Sequence, residues 1–121
     1  MDAFEASRAS IDALQSAQMP KGMHGVRGFH RDLFRRPLSV QELEGYDTVV
    51  FDPPRAGAKA QCETLAQSAV ETVIAVSCNP ATFARDARML VDGGYDLLEV
   101  QPVGQFLWST HVELAALFKR P

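Results

Sequence analysis

The chain has 121 residues, 46% of them hydrophobic and 22% charged, with a formal net charge of -3. That length has room for one domain, and the ordinary composition excludes disorder. The acidic balance excludes a protein whose whole surface binds nucleic acid electrostatically, although a local basic patch remains compatible with it.

In chain order, Met1 to Phe4 reads as the end of a strand that reaches the carboxylate Glu5, and Ser7 to Ala17 as a helix with Ser7 or Ser10 able to cap it. Pro20-Lys21-Gly22 ends that run, Val26 to His30 is a short strand, and Pro37 closes the segment after Arg35-Arg36. Leu38 to Gly45 is a loop or a turn of helix. Tyr46 to Phe51 is a β-rich run that stops at Asp52, because Pro53 and Pro54 cannot continue a ladder. Ala58 to Ala69 is a helix, Val73 to Val76 a strand, and Ala81 to Val91 a helix closed by Asp92-Gly93-Gly94. Tyr95 to Val103 and His111 to Phe118 are two further strands. This alternation with short Gly/Pro connections is the pattern of an α/β fold, a parallel sheet with helices on its faces. No repeat, low-complexity tract or linker divides it, so the chain reads as one unit.

Cys62 and Cys78 form no CxxC pair and no His/Cys cluster at metal-ligand spacing, so no metal is expected. No long apolar span and no leader is visible, which predicts a cytoplasmic, reducing location without a membrane partner. Cys62 lies mid-helix and reads as core. Cys78 lies on the turn between a strand and a helix, where the crevice of an open α/β sheet forms and where a helix dipole favours a thiolate. Asp52 also ends a strand, and Glu113 follows in His111-Val112-Glu113. Taken singly, Asp52 fits a turn residue and His111 with Glu113 the wet face of an edge strand.

The ordered set is more specific. Asp52-Pro53-Pro54-Arg55-Ala56-Gly57, then Ser77-Cys78-Asn79-Pro80-Ala81-Thr82 running to Ala84-Arg85-Asp86, then Gln105-Phe106 and His111-Val112-Glu113, resembles the RNA uracil-C5 methyltransferase family, and within it the enzymes that make 5-methyluridine in 23S rRNA. The cytosine-C5 enzymes differ, having a cysteine directly after the proline where this chain has Pro54-Arg55. The resemblance implies a Rossmann-like class I methyltransferase fold and S-adenosyl-L-methionine as cofactor. It implies Cys78 as the nucleophile that adds to C6 of uracil and Glu113 as the base that removes the C5 proton. It also implies Asp52 between cofactor and target base, Arg55 steadying uracil or a phosphate, Glu5 on the cofactor ribose and Asp32 at its adenine end.

The family's glycine-rich loop and first strand, upstream of the acid matched by Glu5, have no counterpart in the sequence, nor do its N-terminal RNA-binding segments. Residues 1–121 are therefore expected to be the C-terminal part of a catalytic domain, with weak cofactor binding, marginal stability and self-association through exposed sheet edges. A second departure is Leu107-Trp108-Ser109, where the family favours a stretch containing proline. The expected substrate is RNA, ribosomal ahead of transfer RNA. The competing expectations are a non-catalytic remnant or interaction module, and a generic cofactor-binding domain with a structural cysteine.

Overall fold

The computed structural model describes residues 1–17, 20–104 and 112–121, in two compact units, Met1–Pro37 and Leu38–Pro121. Gln105-Phe106, Leu107-Trp108-Ser109 and His111 of the expected motifs lie outside the described residues.

The first unit is a strand, helix, strand motif: β1 (Asp2–Glu5), α1 (Arg8–Ser16) and β2 (Arg27–His30). The Ser7 hydroxyl accepts from the Ser10 amide and caps α1. The two strands are parallel, Asp2 opposite Arg27 and Glu5 opposite His30. Ile11 of α1 is buried and packs over Gly28, while Phe4 stacks on Phe29 with ring centroids 5.0 Å apart. With so little buried apolar surface, this small unit draws modest stability from packing alone.

The second unit contains α2 (Val40–Leu43), β3 (Thr48–Phe51), α3 (Lys59–Gln67), β4 (Thr72–Ser77), α4 (Pro80–Asp92), β5 (Asp96–Gly104) and β6 (Val112–Lys119). A full capping box between Ser39 and Glu42 starts α2, where the sequence allows a loop or a turn. The strands lie in the order β3-β4-β6-β5. β3 and β4 are parallel, but β6 runs antiparallel to both β4 and β5. The expected all-parallel sheet is thus corrected to a mixed one. Apolar alternation marks a strand but carries no information about its direction, and two consecutive strands can pair antiparallel without a crossover helix.

One sheet face is core. Val73, Ala75 and Ser77 of β4 and Leu114, Ala116 and Phe118 of β6 alternate inward and are buried, with Leu65 of α3 and Leu90 of α4. Phe83 of α4 meets Phe118 at 6.4 Å between ring centroids. The opposite face carries half-buried Ile74, Val76, Ala115 and Leu117, and Val50 on β3 is 61% exposed. β5 is an edge strand exposed along its whole length and bulged between Leu97 and Glu99.

Candidate active site

Three strands of the second unit bring the sequence-predicted residues to one end of its sheet. β3 stops at Phe51, so Asp52 is the first residue beyond it, and Arg55 follows in the Pro53–Gly57 loop. β4 stops at Ser77, and Cys78 lies between that strand and Asn79, the N-cap of α4. Asn79 accepts from the Ala81 amide through its side chain, and Pro80 occupies the first helical position, where its missing amide proton costs nothing. α4 therefore begins one residue earlier than the Ala81 start that its apolar spacing suggests.

Glu113 reaches the same place from the other direction. β4 and β6 pair antiparallel up to Ser77 opposite Leu114, so Cys78, which follows Ser77, and Glu113, which precedes Leu114, lie at the same end of the sheet. Glu113 is held on its other side by pairing with Val103 of β5. Cys78 and Glu113 are half-buried, and Asp52 and Arg55 are exposed. None of these four side chains has a hydrogen-bond or ion-pair partner among the described residues. Polar groups converging without partners have their bonding capacity available for a ligand.

Cys62 has the opposite character. It is fully buried in α3, and its thiol is pushed up to about 12, first by burial and then by the charge of Asp86, with Arg85 pulling the other way. A thiol so raised stays protonated at neutral pH and cannot act as a nucleophile. The reading of Cys62 as core holds.

The two remaining predicted residues, Glu5 and Asp32, are in the first unit. Glu5 ends β1 and accepts from the Ser7 amide through Oε1 at 2.9 Å, which leaves Oε2 without a partner among the described residues. Asp32 stands two residues beyond the end of β2 and accepts from the Phe34 amide through Oδ1 at 2.9 Å. Since β1 and β2 are parallel neighbours, both carboxylates occupy the carboxyl ends of adjacent strands. No group of three or more His, Cys, Asp or Glu residues suited to a metal occurs among the described residues, and no helix there is long and apolar enough to cross a membrane.

The family model for tRNA (uracil-5-)-methyltransferase matches residues 3–121. The chain belongs to that family. Among relatives of this chain, an uncharacterized RNA methyltransferase of Mesorhizobium japonicum is 52% identical over 98% of the chain and 29% of its own length. A 23S rRNA (uracil(1939)-C(5))-methyltransferase of Alteromonas mediterranea is 37% identical over 89% of the chain and 22% of its own length. The chain thus spans less than a third of the curated relatives it matches. Among solved structures, the Pyrococcus abyssi tRNA (uracil-54, C5)-methyltransferase in complex with S-adenosyl-L-homocysteine aligns with a TM-score of 0.74 and 28% identity, over 97% of this chain and 28% of that one. The fold is accordingly that of part of a methyltransferase.

Sequence reasoning missed the residues that hold the Pro53–Gly57 loop, chiefly Thr82, Arg85 and Asp86 of α4. One signal was present. Phe83, Asp86, Ala87 and Leu90 share one helical stripe, so a carboxylate falls on a core face and requires buried partners there.

Proposed function

We propose that this chain is the C-terminal catalytic part of a cytoplasmic, S-adenosyl-L-methionine-dependent enzyme that methylates C5 of a uridine in RNA. The observation that supports the reading is the pairing of Ser77 with Leu114, whose flanking residues Cys78 and Glu113 lie at the same sheet end as Asp52 and Arg55. Uracil C5 is a poor nucleophile, and this pair supplies what its activation needs. The Cys78 thiolate forms a bond to C6, and the C5–C6 electron pair moves toward C5 and O4 as an enolate. Glu113 later takes the C5 proton, the C5–C6 double bond re-forms, and the C6–S bond breaks to release the thiolate. Asp52 orients the base through its ring edge, and Arg55 offers a cation to a carbonyl oxygen or a phosphate.

The residues present fit the cofactor. Glu5 has one carboxylate oxygen free for ribose hydroxyls, and Asp32 sits on the neighbouring strand end, where it would meet the adenine side. S-adenosyl-L-methionine supplies an electrophilic methyl group when bound. Ribosomal RNA is the substrate favoured by the Alteromonas relative, and transfer RNA is the second reading, favoured by the Pyrococcus structure.

RNA carrying 5-fluorouracil tests this. Fluorine at C5 cannot leave as a proton does, so the methylated adduct stalls. The full-length protein with cofactor should form a complex that survives denaturing electrophoresis, more with a 23S rRNA fragment than with transfer RNA, and Cys78→Ala should form none. An adduct persisting in Cys78→Ala removes the nucleophile assignment. Failure of the unsubstituted protein to form any adduct leaves the inactive-remnant reading.

A further inference from the structure

The motif Ala84-Arg85-Asp86 takes no part in the chemistry above, yet the side chains of Arg85 and Asp86 are committed to the loop that carries Asp52 and Arg55 and to the residue after it. We propose that Thr82, Arg85 and Asp86 are positioning residues, which hold the Asp52–Gly57 loop in register with the Cys78 turn. The inference rests on the reading of that end of the sheet as a methyl-transfer site.

Two main-chain groups of the loop, and the amide of Ala58 just after it, are gripped from α4. The Arg55 carbonyl accepts from the Thr82 hydroxyl at 3.0 Å and from Asn79 Nδ2 at 3.1 Å. The Ala56 carbonyl accepts from Arg85 Nη2 at 2.9 Å. The Ala58 amide donates to Asp86 Oδ2 at 2.7 Å. Asp86 is only 3% exposed, and its other oxygen accepts from Arg85 Nε and Nη2 at 3.1 and 3.0 Å. A buried carboxylate is tolerable only when paired and hydrogen-bonded, and here every partner is either the loop or the arginine that also holds the loop. Thr82, Arg85 and Asp86 follow the N-cap Asn79 at spacings of three, six and seven, which lie along one helix face.

The loop is shaped to receive this grip. Gly57 has φ +82°, and a Cβ there would stand 2.6 Å from Arg85 Nη2 and 2.7 Å from Asp86 Oδ2. The Gly57 amide closes a turn onto the Pro54 carbonyl at 2.9 Å. Asn79 joins the two halves. Its amide donates to Ser77 Oγ at 3.1 Å, bracketing Cys78, while its side chain holds Arg55 from across the turn. The backbone that aims Arg55 and the backbone that aims Cys78 are therefore fixed to the same turn of α4. A shift of about 1 Å between reacting groups costs on the order of a hundredfold in rate.

The test uses the full-length protein with Thr82→Val, Thr82→Ser and Arg85→Lys, and follows the rate of adduct formation with 5-fluorouracil RNA, kcat and KM, the unfolding midpoint, and amide exchange at Gly57 and Ala58. Thr82→Val removes one hydroxyl and should slow adduct formation and kcat about tenfold, the scale of one hydrogen bond. Exchange at Gly57 and Ala58 should accelerate while KM and the unfolding midpoint stay near their original values. Thr82→Ser keeps the hydroxyl and should restore the rate. Its alternative acceptor, the Asn79 carbonyl at 3.2 Å, is within the same turn and does not spare the loop. Arg85→Lys keeps the charge but not the fork, and should behave as Thr82→Val does. Adduct formation at the original rate in Thr82→Val overturns the inference and leaves the proposed reaction standing. A rate loss that Thr82→Ser shares, or that only tracks the unfolding midpoint, also overturns it. An adduct surviving in Cys78→Ala overturns the reaction itself, and the positioning role with it.

Discussion

Where β4 begins, at one end of the four-stranded sheet, Tyr95 and Arg120 turn into the molecule and spend their polar atoms on backbone. The Tyr95 hydroxyl donates to the Val70 carbonyl at 2.7 Å, and the Arg120 guanidinium donates to the carbonyls of Gly93, Leu65 and Ala66 while lying 4.0 Å over the Tyr95 ring. Two of those carbonyls belong to the last turn of α3, where the Leu65 carbonyl also accepts from the amide and hydroxyl of the C-cap Ser68. Where β4 finishes, at the other end, Asp52, Arg55, Cys78 and Glu113 have no such partners among the described residues. An end that consumes its own polar groups adds stability and offers a ligand nothing. The other end forgoes that stability and keeps its groups available, and the hydrogen bonds it does make, from Asn79, Thr82, Arg85 and Asp86, fix the loop that carries those groups.

Substitutions at the two ends should therefore separate rate from stability. The largest effect is expected for Glu113→Gln, which removes the proposed proton acceptor and should lower turnover by about 10²–10⁴-fold. Its unfolding midpoint should hardly move, because the carboxylate has no partner among the described residues. Since the C5 proton then remains in place, the covalent complex should accumulate even on ordinary uridine RNA, visible on a denaturing gel. A turnover loss matched by an equal loss of stability would erase the distinction between the ends.

Arg120→Ala should do the reverse. It strips hydrogen bonds from the carbonyls of Gly93, Leu65 and Ala66 and removes the cation from the Tyr95 face, which should cost about 2–3 kcal/mol of unfolding free energy by denaturant titration. The cost is moderated because Arg120 Nε is itself buried without an acceptor, a penalty that the substitution relieves. Turnover per folded molecule should be unchanged at temperatures where the variant remains folded.

Much of this was legible in the sequence, and the divide follows the range of the interactions. Strand ends at Asp52 and Cys78 are announced by the prolines and the N-cap that follow them, so their place was readable locally. The helix from Ser7 to Ala17 and the strand from Val26 to His30 were readable from local pattern, and with them the first unit in outline. Pro37 was readable as the close of a segment, but not as the boundary between two units, since no change in composition marks one there. The antiparallel direction of β6 was also hidden, and with it the reason that Glu113 lies at the same sheet end as Cys78, which depends on pairing Ser77 with Leu114. Arg120 was missed altogether, because its partners lie between 27 and 55 residues away and no local spacing points to them. Family resemblance supplied what spacing alone could not, namely the order of motifs that meet only in three dimensions.

The smallest effect should come from Tyr95→Phe, and it is the sharpest test of how separate the two ends are. The ring is fully buried, so deleting the hydroxyl leaves its packing intact and keeps a face for Arg120. What is lost is the bond to Val70, and the Val70 carbonyl is left without that donor in the loop that feeds β4. One buried hydrogen bond of this kind is worth about 1 kcal/mol, which a denaturant midpoint resolves when the slope is unchanged. β4 then runs the whole way from Thr72 to Ser77, directly into Cys78. If the strand is rigid and its ends are independent, Tyr95→Phe lowers stability by that amount and leaves adduct formation at its original rate. If slackening at Val70 were transmitted along β4, the Cys78 adduct would form more slowly by a larger factor than the stability change accounts for, and the two ends would have to be treated as one coupled element.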